Sequence, residues 1–176
     1  MLATSWYMIV FRLIHILAGI FWVGSVTLLV RFVSPAATEL GPAAGPMMAN
    51  LVLKRRMIRA VLGGAAVTVV AGAFVYWHDW QAYGSFGDFV SSRFGFALTI
   101  GALFAIAGMA VGASVARPAM EGAVTLGAKI AQSGEPPSPE DAARLQALRS
   151  RGRMASQTVW VLAMIAAALM ATARYW

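Results

Sequence analysis

The run from Trp6 to Phe32, WYMIVFRLIHILAGIFWVGSVTLLVRF, restricts this chain more than any other feature. A helix rising about 1.5 Å per residue needs roughly 20 apolar residues to cross the hydrocarbon of a bilayer, and this run exceeds that length. Apart from Arg31 at its end, two charged or imidazole side chains interrupt it, Arg12 and His15, three apart and therefore on one helical face. Met8, Gly19, Trp22 and Val26 continue that face at helical spacing. An ionisable side chain inside a spanning helix is costly, which marks Arg12 and His15 as candidate functional residues.

Three further runs have the length and apolarity of spans, giving four in all: about 6–32, 57–80, 94–116 and 154–175. With 176 residues, 60% of them hydrophobic and 12% charged, and a mean hydropathy of +0.71, the sequence reads as one integral membrane domain. The expected fold is all-α, a transmembrane four-helix bundle. The MLATSWYMIVFRL start has neither a positive n-region nor a small-residue cleavage site, so the first helix is expected to be retained.

The net charge of +7 is distributed unevenly. The 33–56 connection and its edges carry Arg31, Lys54, Arg55, Arg56 and Arg59 against Glu39, and the 117–153 connection carries Arg117, Lys129, Arg144, Arg149, Arg151 and Arg153 against four acids. The middle connection has Asp79 and Asp88, with Arg93 at its far end. By the positive-inside rule both long connections are cytoplasmic and both termini are outside, in a bacterial inner membrane. No basic stripe interleaved with aromatics lies in a soluble region, so no nucleic-acid partner is expected.

Within the connections, Pro35, Gly41, Pro42, Gly45 and Pro46 predict an irregular loop, with helix re-forming over 47–59 and running into the second span. The third span is expected to run past the membrane to a turn near Gly134–Pro137. Ser138 then caps a returning helix that has Pro139, Glu140 and Asp141 in its first turn. Spans two and three are rich in small residues, among them Gly63, Gly64, Ala71, Gly72, Gly101, Ala105, and the Gly108–Gly112 GxxxG step. Such faces pack helices closely, within the bundle or between copies of the chain.

Both histidines, His15 and His78, fall in the outer half together with Arg12, Arg93 and Arg174, beside a belt of Trp6, Trp77, Trp80 and Trp176. One chemistry that uses these residue types is a b-type haem in the bundle. Imidazole serves as axial ligand, arginines pair with propionates, glycines such as Gly19, Gly63 or Gly72 admit the flat ring, and Trp22 lines its edge. His15 and His78 are then the candidate metal ligands, although with His78 at the interface they differ in height by roughly 7–10 Å. The plain alternatives are a His15 hydrogen bond to a Ser or Thr of a neighbouring helix, Arg12 reaching the outer headgroups, and His78–Asp79 as ordinary interfacial residues. Met47–Met48 lacks the further Met or His partners a copper site needs. No catalytic triad, carboxylate pair or intramembrane acidic relay is present in the spans, so enzymatic or ion-pumping activity is not expected. The chain has no cysteine, which excludes disulfides and thiolate sites.

His15, Gly19, Trp22 and Gly24 form an H-x3-G-x2-W-x-G pattern. This first helix resembles those of the copper-resistance protein D family, the four-helix membrane protoporphyrinogen oxidase and the membrane domain of cytochrome-c-linked urate oxidase. The terminal MIAAALMATARYW is similar to the last helix of small membrane proteins in the same broad group. The resemblance implies a helical bundle in a bacterial inner membrane, with His15 a candidate haem or metal ligand. Three functions follow as expectations: a membrane subunit of a redox or respiratory complex using haem b for electron transfer, a structural or assembly subunit without cofactor, and a copper- or haem-handling protein. The expected partners are the lipid bilayer and either other membrane subunits or further copies of the chain.

Overall fold

A computed structural model describes residues 6–175. Trp176 of the aromatic belt and the segment before Trp6 lie outside the described residues. The described chain is 92% helix, without strands. In order, the α-helices are α1 (Trp6–Leu28), α2 (Ser34–Leu40), α3 (Gly45–Ala49), α4 (Met57–Trp80), α5 (Phe86–Ser91), α6 (Arg93–Val111), α7 (Arg117–Ser133) and α8 (Pro139–Thr172). Four helical runs are long and apolar enough to cross a membrane: Trp6–Lys54, Met57–Trp80, Arg93–Ser133 and Pro139–Tyr175.

Two of these boundaries correct the expected first connection. The segment after Phe32 is a series of short helical pieces and not an irregular loop; the chain breaks at Gly41 (φ 56°), among the prolines, and again at Arg55–Arg56 before the second span. Pro42 follows the break at Gly41, where a missing N–H costs little, whereas Pro35 and Pro46 are carried within right-handed helical backbone that continues from the preceding piece. A π turn over Leu29–Val33 precedes Pro35, and another over Gly112–Ala116 precedes Pro118 at the same spacing. The wider i→i+5 turn gives the helix room to carry the proline ring past the preceding carbonyls. Arg56, at φ 52°, takes the left-handed conformation that ends this run.

The second long connection follows its sequence signals. Gly134, at φ 69°, terminates α7, and the Ser138 hydroxyl accepts from the Asp141 N–H at 3.1 Å to start α8. At 34 residues, α8 is about 51 Å long, so it extends well beyond a bilayer core and packs on both α6 and α7.

Packing is organised as two antiparallel pairs, α1 with α4 and α6 with α8. They meet in a core of Trp22, Val26, Ala65, Ala105, Val159 and Ala166. Small residues make this possible. A Cβ on Gly108 would stand 3.5 Å from Leu162 Cβ and 3.8 Å from Trp22, and one on Gly101 would be 3.1 Å from Met170. The GxxxG glycines are thus used inside the bundle: Gly112 faces Leu62, at 3.2 Å from its built Cβ, as well as Val159. Trp160 Nε1 donates to Thr27 Oγ1 at 3.1 Å, tying α8 to α1, while the Arg31 guanidinium lies 5.4 Å from the Trp160 ring centroid.

At the basic end, Glu121 accepts from Arg59 at 3.1 Å and from Arg117 at 3.3 Å, pinning the start of α4 to α7. The Arg59 hydrogen bond is the main reason its carboxyl is held below the usual carboxylate range, with the Arg117 charge adding to it against the opposing effect of burial. A depressed carboxylate pKa stabilises the fold above the unfolded value of about 4.3 and loses that contribution as pH falls through the folded value. Glu121→Gln is therefore expected to cost about 1 kcal/mol at pH 7, because this two-arginine site is only partly screened. In thermal unfolding at stepped pH, the gap between native protein and variant should close as the pH falls through and below the ordinary glutamate range. A gap independent of pH would refute this account of the contact.

Candidate functional site on α1 and α4

The face read from the sequence is the one that α1 turns inward: Met8, Trp22 and Val26 are buried, and His15 and Gly19 are half-buried. Against it α4 presents Gly64, Thr68, Gly72, Phe74, His78 and Asp79. Phe11 stacks on Phe74 with centroids 4.4 Å apart, and Tyr7 meets His78 edge-on at 6.2 Å.

His15 is seated by two features of α4. Its Nδ1 lies 2.8 Å from the Thr68 carbonyl, which can only accept, so Nδ1 carries the hydrogen. The ring lies over Gly72, where a Cβ would stand 2.7 Å from His15 Cε1 and 2.8 Å from Nδ1. Only glycine leaves room for the imidazole there. The Thr68 hydroxyl donates back to the Gly64 carbonyl of its own helix, at 2.8 Å, so the expected bond to a neighbouring Ser or Thr is made to the threonine backbone.

With Nδ1 committed, the neutral ring has its lone pair on Nε2. No hydrogen bond within the described residues reaches Nε2, and no side-chain nitrogen or oxygen among them is both buried and unpartnered. Nε2 therefore opens to the surface of the α1–α4 pair. Fixing one ring nitrogen on a carbonyl and presenting the other is the arrangement by which proteins orient a ligating histidine.

Several expected site residues are placed elsewhere. His78 does not join His15. It lies six residues beyond Gly72 on α4, about 9 Å along the axis, against Tyr7 and 3.5 Å from Asp79. The two imidazoles are thus held against different partners and are not brought together. Trp22 lies two turns below His15 with 2% exposure, filling the core instead of edging a macrocycle. Gly19 packs on the Thr68 methyl, its built Cβ at 3.6 Å, and Gly63 has open space over it. A flat ring therefore has no slot between α1 and α4.

Arg12 pairs with Asp79 at 3.4 Å, a residue the sequence placed only at the interface, and its side chain remains 59% exposed. Arg93 begins α6, and Arg174 lies 5.7 Å from the Tyr175 ring centroid. No hydrogen bond or ion pair joins either to His15 among the described residues. No group of three or more His, Asp or Glu residues that could hold a metal is found among them. His15 lines neither the hollow between Val111 and Thr158 nor the one between Phe21 and Val61. Compared with family models, characterised proteins and solved structures, the chain matches none.

Proposed function

We propose that the chain is a non-catalytic, multi-pass subunit of a redox-type complex in a bacterial cytoplasmic membrane, with His15 ligating a b-type haem at the α1–α4 surface. The orientation rests on charge. The Arg31–Arg59 and Arg117–Arg153 connections share one end of the bundle and face the cytoplasm, which leaves both termini outside.

The observation that carries the cofactor reading is the fixed imidazole, held at Nδ1 by the Thr68 carbonyl with Nε2 open at the helix surface. A bound haem b supplies one-electron transfer at its iron. The protein's own residues orient and support the ligand. The Thr68 carbonyl holds the tautomer and raises the basicity of Nε2, Gly72 makes space for the ring, and the Phe11–Phe74 stack forms an apolar wall one turn away. Arg12, one turn toward the terminal end, is the cation positioned for a propionate. His15 would hold the group from the outer surface of the α1–α4 pair, and His78, packed on Tyr7 and beside Asp79, would not share it.

His15→Ala is expected to abolish b-type absorption in a reduced-minus-oxidised spectrum, while His78→Ala leaves it in place. Equal spectra for His15→Ala and the native chain would overturn the ligand assignment.

A second reading, a structural or assembly subunit without cofactor, is favoured by the filled glycine faces at Gly72, Gly101, Gly108 and Gly112. It predicts that His15→Ala loosens the α1–α4 pair and changes nothing else. Copper or haem handling would use the same Nε2, without help from Met47 and Met48, which lie in and around α3 at the opposite end of the bundle.

A further inference from the structure

We infer that the groove between the end of α6 and the cytoplasmic half of α8 is a binding site for one anionic phospholipid. The inference rests on the membrane orientation proposed above and is independent of His15. The groove has a volume of about 450 Å3 and is open along one side. Its floor and walls are Val111, Val115, Ala147, Met154, Ala155 and Thr158, and its polar groups are Arg151 and Ser150, whose hydroxyl points to Met154 Sδ at 4.0 Å. Volumes of about 300–1,000 Å3 are those of clefts that take small ligands, and an open apolar trough suits an acyl chain.

Charge specifies the headgroup. Arg151 is exposed and makes no ion pair among the described residues, unlike Arg59 and Arg117, which share Glu121. Arg144, also exposed and unpaired, lies seven residues earlier and so two turns along the same face of α8. Met154 begins the expected fourth span, so Arg151 stands at the level of the headgroups and the apolar wall runs from there into the hydrocarbon. The cytoplasmic leaflet is the one that carries anionic lipid. A phosphate on Arg151 and Ser150, with one acyl chain along Val111, Val115 and Met154, satisfies both halves of the groove.

The test uses the full chain in nanodiscs and native mass spectrometry of the lipids it retains after release. The protein is expected to retain phosphatidylglycerol in preference to phosphatidylcholine. Arg151→Gln should lower that retention about fivefold, close to the effect of one basic residue at a charged membrane surface. Val115→Trp, which fills the trough without changing charge, should lower it as well, whereas Arg55→Gln, at a distant basic position, should not. Equal retention of the two lipids, or an Arg151→Gln loss no greater than that of Arg55→Gln, would overturn the site. Failure of the native chain to enter nanodiscs at all would instead overturn the membrane reading on which it rests.

Discussion

Replacing Gly95 by alanine is expected to unseat the corner between α5 and α6 and to cost about 3 kcal/mol or more. A methyl group there would run into the Phe89 carbonyl oxygen and would stand 2.7 Å from the Phe89 carbonyl carbon and 3.0 Å from its ring. The obstacle is backbone, which cannot swing aside as a side chain can. Phe89 is also unable to retreat. It is completely buried, with Tyr76 and Tyr83 both at 5.1 Å and Phe94 at 6.3 Å between centroids. The Ser92 hydroxyl holds both sides of the corner, donating to the Phe89 carbonyl at 2.6 Å and capping α6 by accepting from the Gly95 N–H at 3.0 Å. Gly63→Ala is the control, since nothing lies within 4 Å of its built Cβ, and it should change stability by less than about 0.5 kcal/mol. Unfolding of the two variants in detergent, followed by near-UV dichroism, separates them. Equal stability would show that the α5–α6 corner is looser than its contacts imply.

Gly72→Leu is the second large effect, and it acts on the proposed site. The added side chain claims the space occupied by the His15 ring and breaks the Nδ1 bond to Thr68. Overpacking and an unsatisfied imidazole together are expected to cost about 2–4 kcal/mol. The haem signal should fall as it does in His15→Ala, although the histidine itself is present. Gly72→Leu with an unchanged spectrum and native stability would mean that the ring does not need its notch. The pair of variants also distinguishes ligation from packing: a purely structural His15 would lose stability in both without any spectral change.

Much of this architecture is readable from residue spacing, and the exceptions have physical causes. The Met8–Trp22–Val26 face is legible because Arg12 and His15 mark it in an otherwise apolar helix. Ser138 and Gly134 are legible because capping is local chemistry. The first connection is legible in part: the chain breaks at Gly41, where the Pro/Gly signals stand, but no local signal separates the short helical pieces on either side from loop. The identity of the glycine opposite His15 depends on the register of α4, which no local signal fixes. Gly63 and Gly72 are nine residues apart, so at 100° per residue they lie on opposite sides of the helix, and only Gly72 meets the ring. Helices α4 and α6 are apolar nearly all round, so periodicity does not reveal their inner faces. The pairing of Arg12 with Asp79, and of Arg59 with Glu121, joins residues more than sixty positions apart and needs the tertiary fold.

The account turns on whether the open Nε2 of His15 holds iron. The most direct measurement is a pyridine haemochrome assay, with a reduced-minus-oxidised visible spectrum, on protein purified in mild detergent from haem-replete cells. A b-type α-band is expected that copurifies with the chain in fixed proportion and is absent from His15→Ala prepared in parallel. A flat spectrum from the native chain under those conditions would contradict it, leaving His15 as the hydrogen bond that joins α1 to α4.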